Sequence, residues 1–265
     1  MRPIWSGTLT FGLVAIPVRL YAATESGRKP HFRWLDSKTD TPIKEIRVNA
    51  ETGKEVPWTQ IANGVEYAKG KYIALSNDDL KSLPLPAVHT IELLGFPEAA
   101  DIDPIFFDKP YYLAPEKGGD KPYELLRLAL RESGRVGIGK VALRNREHLV
   151  AIVPREHVLL AHTLYFADEV RGEDSVPGLP RKPRLAATEE KMAKQLIASM
   201  ALAFHPEQFK SDYQTALNEL IAAKLHGKKL PAASGAGKVI DFQQALRESL
   251  ERARGTKVRP RRAAG

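Results

Sequence analysis

Apolar and polar residues alternate from the start of the chain. Leu9, Phe11 and Leu13 interleave with Thr8, Thr10 and Gly12, and then Val14, Ile16, Val18 and Leu20 take the opposite parity. Side chains along a strand point to alternate faces, so each run predicts a half-buried strand. The switch near Gly12 predicts a bulge or a break between two short strands. Further strands are expected at 43–48, 71–75, 88–94, 105–113, 140–143 and 149–153, mostly bounded by Gly, Pro, Asn or Asp. One helix interrupts them. Asp120 is placed to cap it, Pro122 suits its first turn, Gly134 ends it, and Tyr123, Leu126 and Leu130 share a face. Short strands without regularly interleaved helices predict an α+β chain built on a barrel or sandwich, not a doubly wound sheet.

The periodicity then changes. Residues 171–187 read as a linker rich in Pro, Gly and charge. Beyond it, Met192, Leu196, Ile197, Met200 and Phe204 form a helical stripe that Pro206 stops. Tyr213, Leu217, Leu220, Ile221 and Leu225 form a second, stopped by Gly227. Stripes this broad must pack on something, either a core or a second copy. Residues 227–238 are expected to be a flexible linker. Asp241 can cap a short helix carrying Phe242, Ala245, Leu246, Ser249 and Leu250, which either docks a partner or folds back on the body.

Composition narrows the class. With 265 residues, 43% of them hydrophobic, the chain can hold one large domain, or one with an appendage. It has no cysteine, which excludes disulfides, iron–sulfur clusters and thiolate zinc sites and suits a reducing cytoplasm. No signal peptide pattern is expected, because Pro17 interrupts the apolar run that begins at Leu13, and no stretch is apolar enough to span a membrane.

The charge is unevenly spread. Of the net +8, residues 252–265 carry +6 through Arg252, Arg254, Lys257, Arg259, Arg261 and Arg262. Residues 78–108 hold seven acids against Lys81, whereas 127–155 hold seven bases against Glu132 and Glu147. Such segregation suits one polyanion-facing surface and one acidic back, as well as chance clustering on a solvated surface.

Catalytic motifs are wanting. Gly134-Arg-Val-Gly-Ile-Gly139-Lys140-Val141 nearly fits a phosphate-binding loop, but valine stands where Ser or Thr would ligate magnesium. Its context is also inverted, with a helix before and a strand after, so a Gly-rich helix stop explains it better. Asp101, Asp103 and Asp108 could bind a divalent cation, but read better as a solvated acidic loop. His157 and His162 are five apart, wrong for one face of a helix or strand. The strongest basic group is Arg144-Asn145-Arg146, in a tight turn between two apolar strands, where two guanidinium forks can grip adjacent phosphates.

Several blocks are more specific. Residues 4–18 (Ile-Trp-Ser-Gly-Thr-Leu-Thr-Phe-Gly-Leu-Val-Ala-Ile-Pro-Val), 64–72 (Gly-Val-Glu-Tyr-Ala-Lys-Gly-Lys-Tyr), 96–130, 141–151 and 166–171 resemble, in order and spacing, the bacterial Ku proteins of non-homologous end joining. The resemblance extends over roughly residues 2–252 and includes the helical 192–224 segment and the 239–250 helix.

It implies a β-barrel core with arching strands or loops that form half of a DNA-encircling ring, followed by a helical arm and a basic tail. Carried onto this chain, the core is 1–187 with the arch at about 28–75. The dimerisation arm is 188–226, the linker 227–238, the partner-docking helix 239–254 and the disordered tail 255–265. The implied DNA-contacting residues are Arg28, Lys29, Lys38, Lys44, Arg47, Lys54, Lys69, Lys71, Lys109, Arg144 and Arg146, with Lys257, Arg259, Arg261 and Arg262 in the tail. Met192, Leu196, Met200, Phe204, Tyr213, Leu217 and Leu220 are the implied dimer interface, and Val239, Phe242, Leu246 and Leu250 the ligase-docking face.

The implied activity is homodimeric, sequence-independent binding of double-stranded DNA ends and recruitment of an ATP-dependent DNA ligase. No catalysis, cofactor or membrane is implied, and the implied location is the cytoplasm, at the nucleoid. Some members carry cysteine pairs around the stretch 47–56; this chain has none, so no zinc is expected and the turn must hold otherwise. The alternatives are a basic RNA-binding or DNA-binding module without end specificity, and a nucleotide-dependent enzyme using Lys140.

Overall fold

The computed structural model describes residues 1–25, 30, 32–81, 89–143, 146–180 and 185–226. The chain divides into two compact units, Met1–Ser175 and Val176–Gly265. The described elements are, in order, β1 (Trp5–Phe11), β2 (Val14–Ala22), β3 (Asn63–Ala68), β4 (Lys71–Leu75), α1 (Asn77–Lys81), β5 (Thr90–Gly95), β6 (Phe107–Pro115), α2 (Asp120–Ser133), β7 (Gly137–Leu143), β8 (Arg146–Pro154), β9 (Leu159–Leu164), α3 (Ala187–Ser199) and α4 (Asp212–Leu225).

Seven strands close into a barrel in the order β1-β2-β6-β9-β8-β7-β5. β1 and β5 run parallel, with Leu9 opposite Ile91, and every other neighbouring pair is antiparallel. Closure leaves no free edge, so every strand has a partner on both sides. The parity switch near Gly12 is a two-residue hairpin turn: Phe11 faces Val14 and Leu9 faces Ile16. Reversing the chain there brings both apolar series to the same inner face. Leu13, expected on that face, is instead fully exposed at the turn.

Leu9, Ile16, Val18, Ile91, Leu113, Val141, Ile152 and Leu159 are wholly buried inside the barrel. Helix α2 lies against β8 and β2 and buries Tyr123, Leu126, Arg127 and Leu130. Its stop is Gly134, in the left-handed region at φ 68, whose N–H returns to the Leu130 carbonyl. Its cap is Gly119 and not Asp120; Asp120 opens the first turn, where a carboxylate still faces the positive helix end.

Two strands appear that alternation did not predict. β9 reads Leu-Leu-Ala-His-Thr-Leu, too continuously apolar to show period two. β3 has a short pattern that Gly64 dilutes. The strand expected at 43–48 does not form: its ends pair with different neighbours, Ile43 with Trp34 and Arg47 and Val48 with Val56 and Glu55, and only an isolated bridge results. The segment 32–74 has no core of its own, and within it only Val56 is not exposed.

In the second unit, α3 ends at Ser199, well before Pro206. The Ser199 hydroxyl donates to the Leu196 carbonyl at 2.7 Å, competing with continuation of the helix. Phe204 therefore does not extend the helical stripe; it stacks on Phe209 across a short turn, ring centres 5.6 Å apart. Neither α3 nor α4 has a buried residue, and the two do not pack along one another.

Candidate nucleic-acid interface

Three tight turns of the exposed 32–74 segment carry its lysines. At the first, the Asp36 carboxylate accepts from the Lys38 N–H at 2.9 Å, and Leu35 bridges Pro42. At the second, the Asn49 side-chain oxygen accepts from the N–H groups of Glu51 and Thr52 at 3.0 and 2.9 Å, and the Asn49 N–H donates to the Lys54 carbonyl at 2.8 Å. This is how the stretch 47–56 holds without cysteines: an Asx turn supplies the closure. At the third, the β3–β4 hairpin, the Glu66 carboxylate accepts from the Gly70 N–H at 2.7 Å, and Lys69 and Lys71 flank the tip.

Lys38, Lys54, Lys69 and Lys71 are thus presented at turn tips, and Lys44 lies exposed between turns. Arg47 differs: its guanidinium sits 4.5 Å above the Trp58 ring, an arrangement that holds the side chain flat. Beside these cations stand the exposed aromatics Phe32, Trp34, Trp58, Tyr67 and Tyr72.

A second cluster lies on the barrel. Lys109 of β6 and Arg146 of β8 line one cavity of about 510 Å³, together with Trp5, Tyr111, His148 and Thr163. Arg146 faces Leu143 at the end of the β7–β8 ladder. The buried Thr163 hydroxyl fixes the opposite wall. It accepts from the Lys109 N–H at 3.1 Å and donates to the Asp108 carboxylate at 3.2 Å. Asp108, the last of the acidic run, therefore belongs to the basic cavity and not to a separate acidic face. His148 escaped the sequence reading although the signal was present: it stands two residues from Arg146, on the same face of the strand.

Basic residues clustered in sequence do not all share this surface. Arg131 and Arg155 line a different cavity with His157. Lys140 is bonded to Glu147 of the adjacent strand at 3.3 Å. The near-match to a phosphate loop dissolves with it. Gly134 is a helix stop, and Gly139 lies in β7 so close to β5 that a Cβ would fall 2.2 Å from the Glu92 carbonyl oxygen.

The acids of the 101–108 stretch serve local structure. Asp101 accepts from the Glu98 N–H at 3.2 Å, and Asp103 from the Ile105 N–H at 3.0 Å. Among the described residues, no three His, Asp or Glu side chains gather as a metal site.

Of the apolar residues expected at a dimer interface, Met192, Leu196 and Leu217 are half-buried, whereas Met200, Phe204, Tyr213 and Leu220 are exposed. Arg28, Lys29 and Arg144, the 239–250 helix with Val239, Phe242, Leu246 and Leu250, and the tail residues Lys257, Arg259, Arg261 and Arg262 lie outside the described residues. Among the described residues, no helix is long and apolar enough to cross a membrane.

Comparison with known proteins bears on these clusters. A protein-family model described as the Ku70/Ku80 beta-barrel domain matches residues 10–197. A protein of Symbiobacterium thermophilum, named non-homologous end joining protein Ku, is 43% identical over 258 residues, and the alignment covers 96% of this chain but 63% of that protein. The protein of that name from Opitutus terrae is 39% identical over 272 residues, covering 100% of this chain and 97% of its own length. The one from Archaeoglobus fulgidus is 36% identical over 251 residues, covering 95% and 99%.

Proposed function

The chain belongs to the Ku family, and on that premise we propose that it is a non-catalytic protein that binds the ends of double-stranded DNA in non-homologous end joining. The observation that carries this reading is the 32–74 segment: a long excursion from the barrel, exposed almost throughout, with lysines at its turns. A segment that buries so little of itself gains stability by ordering against something else. Lysines on turn tips suit contact with phosphates, which need no particular base sequence. The Lys109–Arg146 cavity adds cationic groups on the barrel.

Two copies of the chain would form the ring. The unsatisfied apolar surfaces support this: Met200, Phe204 and Tyr213 in the second unit, and Trp34, Trp58 and Tyr67 in the first, are each more than 60% exposed in a single copy. The segment 188–226 then acts as the dimerisation arm. A helix at 239–250, with Val239, Phe242, Leu246 and Leu250 on one face, would dock an ATP-dependent DNA ligase, and the basic tail would add a polyanion contact. A ring selects ends by topology, so DNA can enter it only through a free terminus.

The test is competition at moderate salt between labelled linear duplex and the same DNA as a relaxed closed circle. Displacement by linear competitor alone is the expected result. Equal competition per base pair would mean an open binding surface without end selectivity, the behaviour of a general DNA- or RNA-binding module.

A further inference from the structure

At the end of β8 away from Arg146, the chain builds another basic concavity. Its cavity, about 630 Å³, is lined by Tyr112 of β6, Arg131 of α2, and Arg155, Glu156 and His157 of the loop between β8 and β9. We propose that this concavity is a phosphate-binding site, separate from the Lys109–Arg146 cavity, whose ligand is a phosphate group of a nucleic-acid backbone.

The loop is rigid where it needs to be. Arg127, buried to 6% exposure, donates from one guanidinium nitrogen to the carbonyls of both Arg155 and Glu156, at 2.9 and 2.6 Å. Its other two nitrogens are held by the Glu124 carboxylate at 2.9 and 2.6 Å, a bidentate pair that fixes the plane of the fork. The Arg155 N–H closes the loop on the Val158 carbonyl at 2.8 Å. With both carbonyls tied inward, the side chains of Arg155 and His157 stand exposed.

Arg131 comes from the same helix face as Arg127, one turn further along, so the helix that clamps the loop also supplies the facing cation. Among the described residues, neither the Arg131 nor the Arg155 guanidinium is ion-paired. The single carboxylate in the lining, Glu156, lies 3.9 Å from His157 and leaves both arginines unneutralised. The Arg155 charge reaches β9: after burial, it is the second influence holding the half-buried His162 imidazole below its ordinary pKa. Two unpaired guanidinium forks around a concavity match the oxygens of a phosphate, and rigidity on one side lowers the cost of holding them there.

This assignment rests on nucleic acid being the ligand of the chain, though not on end selectivity. The experiment compares the full chain with Arg131→Gln/Arg155→Gln and Arg131→Lys/Arg155→Lys. One arm measures the salt dependence of duplex binding by fluorescence anisotropy. The other follows line broadening of inorganic phosphate by phosphorus NMR. Both side chains are exposed, so the variants should melt as the wild type does.

In the glutamine variant, the magnitude of the salt slope is expected to fall by about 1.8, two phosphates at about 0.9 each, and the lysine variant should restore it. If the slope is unchanged but phosphate broadening is lost in the glutamine variant, the site stands and its ligand is free phosphate. If neither readout changes, the proposal is overturned. A chain that bound circles and lines equally, yet lost slope in this variant, would sink the ring reading alone.

Discussion

The Tyr123 hydroxyl joins three elements. It donates to the Leu113 carbonyl of β6 at 2.6 Å and accepts from the Leu159 N–H of β9 at 2.8 Å, while the ring fills the core beneath α2. Tyr123→Phe leaves two buried backbone groups unmatched and should cost about 1–3 kcal/mol, read as a lower denaturant midpoint with an unchanged slope. Helical spacing alone marks Tyr123 as a core residue. The hydroxyl's partners come from strands 10 and 36 residues away, and no local pattern announces them.

His162 shows the same limit. Its spacing from His157 excludes a shared face, but only the packed barrel sets its chemistry. The ring meets Phe107 edge-on at 5.2 Å, and burial, then Arg155, depress its pKa from 6.5. The unfolded chain therefore binds a proton at His162 at a higher pH than the folded chain does. Stability present above the ordinary histidine pKa should fall as pH drops through it, until the folded group also protonates. His162→Gln should flatten the decline of melting temperature between about pH 7 and pH 5; an equally steep decline would place the titration elsewhere.

At the scale of elements, the excursion 32–74 and the barrel follow opposite rules. Barrel strands alternate because one face is buried, and the alternation is what the sequence displays. In β3 and β4 both faces are exposed, so Val65, Tyr67, Tyr72 and Ile73 respond to no inner surface of the chain. The missing strand at 43–48 has a related cause: its two ends pair with two different segments, at Trp34 and at Glu55–Val56, and no continuous ladder joins them. What such a segment does express is turn chemistry, in Asp36, Asn49 and Gly70, and those turns carry the lysines.

Lys69→Gln with Lys71→Gln should therefore leave the melting temperature unchanged, because both side chains are exposed. It should lower the magnitude of the duplex-binding salt slope by as much as about 1.8. An unchanged slope would remove the hairpin tip from the DNA surface.

At the scale of the whole molecule, the question is what completes two units that leave so much apolar surface open. Met200→Glu with Leu220→Glu should halve the mass measured by analytical ultracentrifugation, whereas removal of 239–265 should leave the mass unchanged and weaken ligase stimulation. A monomeric truncation would move the dimer contact out of 188–226.

Local pattern is enough to read a strand-rich barrel or sandwich, its helix with a glycine stop and the change to helical periodicity beyond residue 187, and the ordered blocks add the family and with it the barrel. These are encoded locally, in period, in turn residues and in blocks of fixed order. How the charges sort depends on strand pairing. Barrel closure puts Arg146 beside Lys109, 37 positions away in the chain. It sends Arg155 to the other end of the same strand and pairs Lys140 with Glu147. The bases of 127–155 look like one patch, but those described are dispersed: Arg146 lines one cavity and Arg131 and Arg155 another, Arg127 and Lys140 pair with Glu124 and Glu147, and Arg135 bonds the Phe96 carbonyl, because strand pairing, and not proximity along the chain, sets which charges share a surface.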